Sequence, residues 1–214
     1  MKIDYQSWLW EMKGRKTVHN LQKHGFDARF LADLSTARET ILEMVRKYES
    51  FGFAGSDTTR ALGLPDALVE MGKTVYDHWQ EGLSPEESLE IRKKQSQADC
   101  FLCSANAIAM TGEIINVDGV GNRTNAMSFG PGKIVIVAGM NKVAKNVDAA
   151  LDRVHEVAAP MRSKSLHMET PCAKTGICED CNSKQRICRI TTILHRQPML
   201  SDISVVLINQ QLGF

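Results

Sequence analysis

The sequence predicts an α/β fold with a largely parallel sheet. Short strand-like segments alternate with amphipathic segments of helical period along the 214 residues. The clearest strand is KIVIVAG at 133–139, a continuous apolar and β-branched run typical of a strand buried on both faces. A chain of this length can bury its own core, and no linker or repeat divides it, so we expect one domain over residues 1–214.

Helices are predicted where capping and stop signals flank an amphipathic pattern. An N-terminal helix is expected within residues 1–25, with its periodic part from Asp4 to His24. Ser35 is the expected cap of a second helix. Ser84, followed by proline and two glutamates, starts a third helix that runs to about Gln97. The helix over 145–158 is expected to end at Pro160.

Short apolar runs predict the remaining strands. Two of them fall within 98–119 and are joined by a turn near Gly112. The others begin the 50–64 segment or lie at 27–32, 73–79, 189–196 and 203–209.

Composition and charge exclude several classes of partner. Lys and Arg number 26 against 25 Asp and Glu, so no basic excess would drive binding to nucleic acid or to an acidic membrane. The first residues lack the apolar core of a signal peptide, and no stretch approaches the roughly 20 apolar residues of a membrane span. We therefore expect a cytoplasmic protein with reduced thiols. The pattern indicates nothing about oligomeric state.

Four of the six cysteines lie in the segment PCAKTGICEDCNSKQRIC at 171–188. They follow the spacing C-x5-C-x2-C-x6-C, and turn-forming residues between them suit a loop wrapped around a metal. We expect residues 170–189 to form a metal-binding insertion. Both zinc and an iron–sulfur cluster accept four cysteines, and the spacing matches neither a zinc ribbon nor a ferredoxin. Unligated thiols or a disulfide are the less favoured alternatives. The expected ligands are Cys172, Cys178, Cys181 and Cys188.

The remaining pair, Cys100 and Cys103, forms a second CxxC inside an apolar strand. Residues three apart on a strand point to opposite faces, so both cannot readily bind one metal. We expect them to pack in the core. The histidines at positions 78, 155, 167 and 195 are scattered and are expected to be structural or exposed.

A glycine-containing loop, GFAGSDTT at 52–59, follows a short strand and precedes a helix. Gly55 permits close backbone approach, while Ser56 and Thr58 add hydroxyl donors near the start of the helix. This pattern suits an anion, although an ordinary strand-to-helix turn capped by Asp57 is the alternative. The expected ligand-binding residues here are Gly55, Ser56, Asp57 and Thr58.

Polar side chains and glycines crowd a second segment, at 104–133. Arg123 could pair with a carboxylate or phosphate, or it could form a salt bridge that holds its own loop. Lys142 follows the buried strand 133–139, where parallel α/β folds place ligand groups, but it could equally be solvated. The candidate ligand-binding residues are Asn106, Thr111, Gly112, Asn122, Arg123 and Lys142.

Several of these stretches resemble the lactate-utilization (LUD) family. The resemblance covers roughly residues 15–214 and rests on GSDTTRALGL, on SANAIAMTGEIINVDGVGNRTNAMSFGPGKIVIVAGMNKV, on TPCA with the cysteine run, and on LINQQLGF. It is closest to stand-alone members that carry this C-terminal cysteine motif. It implies a Rossmann-like sheet of the ribose-5-phosphate isomerase and CoA-transferase type, whose Gly/Ser/Thr loop binds phosphate or another anion.

The resemblance also implies a role. Better-known LUD proteins belong to an iron–sulfur complex that oxidises lactate to pyruvate, which favours an iron–sulfur cluster slightly over zinc. We expect a protein of lactate or related 2-hydroxy-acid metabolism that binds a small carboxylate or phosphate. It would act with iron–sulfur redox partner subunits, because the chain has no flavin motif.

Two alternative functions stay open. One is a sugar-phosphate or acyl-CoA enzyme of the same superfamily, for which Glu113, Asp118 and Lys142 are the nearest catalytic candidates. The other is a noncatalytic assembly or regulatory subunit with structural zinc. The sequence does not assign catalytic residues.

Overall fold

The structure, a computed structural model, describes residues 4–214 and contains a six-stranded sheet that is parallel throughout. The part of the N-terminal helix expected at residues 1–3 lies outside the described residues. The α/β class and the largely parallel sheet are therefore confirmed. In spatial order the strands are β1 (Asp27–Leu31), β10 (Asp202–Ile208), β7 (Lys133–Gly139), β4 (Cys100–Cys103), β2 (Ser50–Phe53) and β3 (Thr74–Asp77).

A second, four-stranded sheet lies beside the first. Its order is β8 (Val143–Ala144), β5 (Ala107–Ala109), β6 (Ile114–Asp118) and β9 (Ile190–Leu194). β6 pairs antiparallel with β5 and β9, and β5 pairs parallel with β8. Residues 98–119 thus hold three strands rather than the two expected, because β5 is too short to give a periodic signal.

The helices follow the capping chemistry closely. Ser84 and Glu87 form the expected capping box. The second helix is capped by Asp33 instead of Ser35: the Asp33 carboxylate accepts the Thr36 N–H at 2.8 Å, which places Ser35 inside the first turn. The helices are α1 (Tyr5–Lys23), α2 (Leu34–Val45), α3 (Asp57–Ala61), α4 (Leu64–Glu70), α5 (Pro85–Gln95), α6 (Asn122–Ser128), α7 (Val147–Arg153), α8 (Ala159–Ser165) and α9 (Pro171–Thr175).

The helix expected to stop at Pro160 continues beyond it. A π-helical turn, Val154–Ala158, joins α7 directly to α8, which ends at Ser165. Proline normally breaks a helix because it lacks the N–H for the bond to the carbonyl four residues earlier. Here the π turn already interrupts that pattern just before Pro160, so the missing donor costs little.

The core lies on both faces of the parallel sheet. Along β7, Ile134 and Ile136 pack on one face while Val135 and Val137 pack on the other. The two cysteines of β4 divide in the same way, and both are fully buried. Burial raises the pKa of both thiols, that of Cys103 to about 12, so they are inert packing groups as expected. No helix within residues 4–214 is long and apolar enough to cross a membrane.

Candidate functional site

The parallel sheet reverses its strand order between β2 and β4. The chain leaves β2 toward β3 on one side, and it leaves β4 toward β7 on the other. The two departing loops therefore separate and open a crevice at the carboxyl ends of the strands, the usual ligand position in such sheets. A cavity of about 100 Å³ lies there, and we call it the central cavity.

The two polar segments identified in the sequence meet in this cavity. Gly55–Thr58 line it from the end of β2, and Asn106 from the segment after β4. Arg123 lines it from α6, and Lys142 from the 3-10 turn Met140–Lys142 that follows β7. Arg162 of α8 also lines it, although the sequence analysis did not single that residue out.

Three of the expected ligand residues lie elsewhere. Thr111 donates its hydroxyl to the neighbouring Glu113 carboxylate. Gly112 has a φ of +112° in the β5–β6 turn, where a Cβ would lie 2.9 Å from the Asn20 carbonyl oxygen of α1. Asn122 donates to the Gln95 side chain at 3.2 Å. All three stabilise turns and helix ends next to the site. Polar residues and glycine are both common in such positions.

Lys142 is the central cation of the cavity and is only 4% exposed. Its ammonium nitrogen donates to the Ser104 hydroxyl at 2.9 Å and to the Thr58 hydroxyl at 3.1 Å. Among residues 4–214 no carboxylate lies within ion-pair distance of this nitrogen. A buried charge without a counter-ion is costly, so this arrangement favours an anion beside the lysine.

The surroundings of Lys142 disfavour its charged form. Burial, followed by the nearby Arg153 and Arg123 guanidiniums, lowers the pKa of Lys142 to about 7; Asp57 and Cys103 oppose the shift. A substantial fraction of this amine is therefore neutral near physiological pH.

Arg123 makes the salt bridge considered as its structural role. Its guanidinium pairs with Asp118 at 2.6 Å and donates to the Asn106 side chain and the Val117 carbonyl, each at 3.0 Å. These bonds use Nε and Nη2, and Nη1 has no hydrogen bond with residues 4–214. Arg123 therefore holds its loop, lines the cavity, and keeps the N–H groups of Nη1 without a partner among residues 4–214.

A tryptophan supports the β2 side of the cavity. The Arg60 and Arg162 guanidiniums lie over the Trp79 ring, 4.5 and 4.6 Å from a ring centroid. A Cβ on Gly55 would lie 2.6 Å from this ring, so the glycine lets the loop pack against it. Arg162 also reaches Asp57 at 3.4 Å. Sequence reasoning missed this group because Arg162 follows the proline expected to end its helix.

The C-terminal segment 209–214 forms another wall. Asn141 binds it twice, donating to the Gly213 carbonyl at 3.2 Å and accepting the Leu212 N–H at 3.0 Å. Gly139 lies beneath it, where a Cβ would be 2.5 Å from the Gln210 carbonyl oxygen and 2.7 Å from the Leu212 nitrogen.

We expect Gly139→Ala to displace this segment, because backbone atoms cannot move aside cheaply. The expected cost is about 1–3 kcal/mol of stability, together with weaker anion binding as the wall opens. Gly132→Ala is the matched control, since the nearest atom to its Cβ would be the Asp99 carbonyl oxygen at 3.8 Å. Thermal melts and anion titrations check this; equal behaviour of the two variants would contradict it.

The four C-terminal cysteines line a second, smaller cavity of about 20 Å³, which we call the cysteine cavity. Arg186 ties its loop together by donating to the carbonyls of Cys181 at 2.7 Å and Cys188 at 2.6 Å. Burial, then the charges of the other three cysteines, raises the pKa of Cys188 against the opposing effect of Arg186.

The donor set of the cysteine cavity suits a thiophilic metal, and two groups can donate to its sulfurs. The Thr170 hydroxyl lies 3.3 Å from the Cys172 sulfur, and His155 Nδ1 lies 3.6 Å from that of Cys178. Within residues 4–214, however, no three His, Cys, Asp or Glu side chains are arranged around one point as a single ion requires. Four thiol groups that line one cavity are suitable metal ligands. Their side chains are not, however, arranged at the distances that a single bound ion requires.

The two cavities share a wall. Cys188, Ile187 and Ala159 line both of them. The cysteine loop also packs against the loop after β6, where a Cβ on Gly119 would lie 3.3 Å from Ile187 backbone atoms. A group held by the cysteines would therefore lie directly beside a ligand in the central cavity.

The fold and the site define an α/β protein with a polar cavity at the carboxyl edge of a parallel sheet. The sequence matches the LUD domain over residues 14–208. This chain belongs to the LUD-domain family.

Solved structures place this fold among known proteins. The chain is similar to a DUF162 family protein from Deinococcus radiodurans, with 14% identity and a TM-score of 0.55, over 93% of this chain and 98% of the other. A ribose 5-phosphate isomerase from Plasmodium falciparum is matched over 53% and 54%, with 18% identity and a TM-score of 0.31. No curated protein sequence matches the chain. The first of these likenesses supports the fold.

Proposed function

We propose that the protein binds a small carboxylate, a 2-hydroxy or 2-oxo acid, in the central cavity. The observation that carries this proposal is the buried Lys142, whose nitrogen contacts two hydroxyls and, in the part of the chain that the structure describes, no carboxylate. A carboxylate between Lys142 and the free N–H of Arg123 would offset the desolvation of the lysine. Ser104 and Thr58 would orient the amine.

Cavity size supports a small acid over the bulkier ligands of the superfamily. An apolar cavity of about 150 Å³ holds benzene, so the 100 Å³ here suits a three- or four-carbon acid. A sugar phosphate or an acyl-CoA would need the walls to separate. The family relation to lactate utilization points the same way.

We further propose that the four cysteines hold an iron–sulfur cluster. A tetrahedral zinc would need its sulfurs within about 4 Å of one another, whereas a cluster separates them more widely. The better-known LUD proteins belong to an iron–sulfur complex, and this family relation favours the cluster. In this proposal the protein works in the reducing cytoplasm with redox partner subunits, and electrons cross the shared wall at Cys188.

Structural zinc is the second candidate, and the volume of the cysteine cavity favours it. About 20 Å³ is close to the space of one water-sized occupant, which a single ion could fill. Anaerobic purification followed by metal analysis separates the two: iron with sulfide supports the cluster, and one zinc per chain supports the second candidate.

Calorimetric titration of the anaerobically purified protein tests the ligand proposal. Lactate and pyruvate are expected to bind more tightly than ribose 5-phosphate, with inorganic phosphate as the control for a bare anion. Arg29→Gln is the control variant: this arginine is exposed and does not line the central cavity, so the variant should bind both acids normally. Tighter binding of ribose 5-phosphate, or no binding of either acid, would refute the proposal.

A further inference from the structure

The amine of Lys142 lies in the central cavity, where it could contact the 2-hydroxy or 2-oxo group of a bound small acid. Lys142 Nζ is held by Ser104, directly after β4, and by Thr58 in α3, which limits the positions it can adopt. Both hydroxyls keep a second partner, because Thr58 also donates to the Leu212 carbonyl at 3.4 Å and Ser104 to that of Ala105 at 3.3 Å. The lysine is therefore a fixed group rather than a flexible surface charge.

The charges around this amine favour a nucleophile over a permanent cation. The charged groups that act on it are Arg153 from α7 and Arg123 from α6, which disfavour protonation, and Asp57, which opposes them; the Cys103 thiol beside it is neutral in this pH range. Arg153 is itself engaged with the Asn141 carbonyl at 2.9 Å, and Asp57 with Arg162. A neutral lysine amine in a dry pocket is the form that attacks carbonyl carbon.

The same cavity carries a means of holding a carboxylate beside the amine. Arg123 keeps one guanidinium nitrogen free of protein partners within residues 4–214, while its other bonds fix the plane of the group. In a 2-oxo acid the carbonyl carbon is bonded directly to the carboxylate carbon. An acid held through its carboxylate would therefore have its carbonyl next to the Arg123 contact. The cavity volume admits such an acid and little more.

From this juxtaposition we propose that Lys142 forms an imine with the carbonyl of a small 2-oxo acid in the central cavity. This inference rests on the proposed function. The amine nitrogen forms a bond to the carbonyl carbon. The carbonyl oxygen departs with the two amine protons as water, so the step is a condensation with no change of oxidation state. The reaction is reversible and requires no further reactant.

Reductive trapping tests this inference on the full-length wild-type protein. The protein is incubated with pyruvate and cyanoborohydride, which adds hydride to the imine and fixes a secondary amine, and the modified peptide is identified by mass spectrometry. We expect a single adduct on Lys142 and none with lactate, which has the same carboxylate but no carbonyl. Lys133, which is also buried but paired with Asp202 at 2.7 Å, is the internal control and should stay unmodified.

The outcomes separate this inference from the proposed function. If pyruvate binds in the calorimeter and Lys142 is not modified, the imine is refuted and the ligand proposal stands. If neither pyruvate nor lactate binds and no adduct forms, both fail. Adducts spread over exposed lysines, at a rate equal to that of the denatured chain, also refute the imine. Lys142→Arg should remove the adduct, and because mapping uses the wild type, the test does not depend on that variant folding.

Discussion

Replacing Lys142 by methionine is expected to weaken anion binding strongly while leaving the protein at least as stable as the wild type. Methionine has a similar length and no charge, so it relieves the burial of an ammonium group that has no carboxylate partner within residues 4–214. Thr58 and Ser104 retain their bonds to backbone carbonyls. The loss of a buried charged contact to the ligand should cost about 2 kcal/mol or more, roughly thirty-fold in affinity.

The pH dependence of stability gives this substitution a signature. The pKa of Lys142 is lowered from 10.5 to about 7 in the folded protein, so between these values the unfolded chain binds more protons than the folded one. Stability of the wild type should therefore rise as pH increases through this window, by linkage. Below about pH 7 Lys142 is protonated in both the folded and the unfolded protein, so the cost of burying its charge no longer changes with pH. Lys142→Met should lack this slope.

Lys133→Met provides the matched control for both measurements. Lys133 is similarly buried, but it pairs with Asp202 and also donates to Ser204 at 2.8 Å at the opposite, amino-terminal end of β7. Its replacement should lower stability and leave anion affinity unchanged. Denaturant unfolding across pH and calorimetric titration check the pair of variants. A Lys142→Met protein that is strongly destabilised, or that binds lactate normally, would contradict the interpretation.

If the proposed metal site is correct, substituting Cys181 by serine is expected to remove the metal and weaken anion binding together. A metal held by four thiolates contributes on the order of 10 kcal/mol to the folding of its site, so loss of one ligand should leave the loop poorly ordered. Ile187 and Cys188 belong to that loop and line the central cavity, so the anion site loses part of its wall. We expect lower metal content, a lower melting temperature and a weaker lactate affinity.

Cys100→Ala is the control for the cysteine experiment. Cys100 is fully buried in the core, on the same face of the parallel sheet as Val135 and Val137, and it lines neither cavity. Its truncation should lower stability through a small void while leaving metal content and lactate affinity intact. Metal analysis, melting curves and titrations are compared for both variants and the wild type. Unchanged metal content in Cys181→Ser would remove Cys181 from the ligand set.

The parallel architecture could be predicted because burial on both faces leaves a strong signal. β7 and β10 are continuous apolar runs, and the capping box at Ser84 marks its helix without ambiguity. β5 escaped prediction because three residues are too few to show a period, although one of its partners, β6, follows it closely in the chain.

The candidate site was predicted best where position after a strand decided it. Ser56 and Lys142 each lie three residues beyond the end of a strand, and strand ends meet at one edge of a parallel sheet. Thr111 and Asn122 have equally polar side chains, yet they bond to Glu113 and Gln95 in the supporting turns. Composition does not distinguish a residue that binds a ligand from one that holds a turn, because both need the same hydrogen-bonding groups.

The π turn at Val154–Ala158 determines which side chain of the following helix, α8, faces the central cavity. An α-helix advances about 100° per residue, so one residue fewer in this stretch would rotate everything after it by that angle. Arg162 would then leave Trp79 and Asp57, and a neighbour in the chain would take its place. A single deletion could thus exchange the guanidinium at this wall for a different chemical group while the sheet beneath stayed the same, which offers related chains a short route to a new ligand preference.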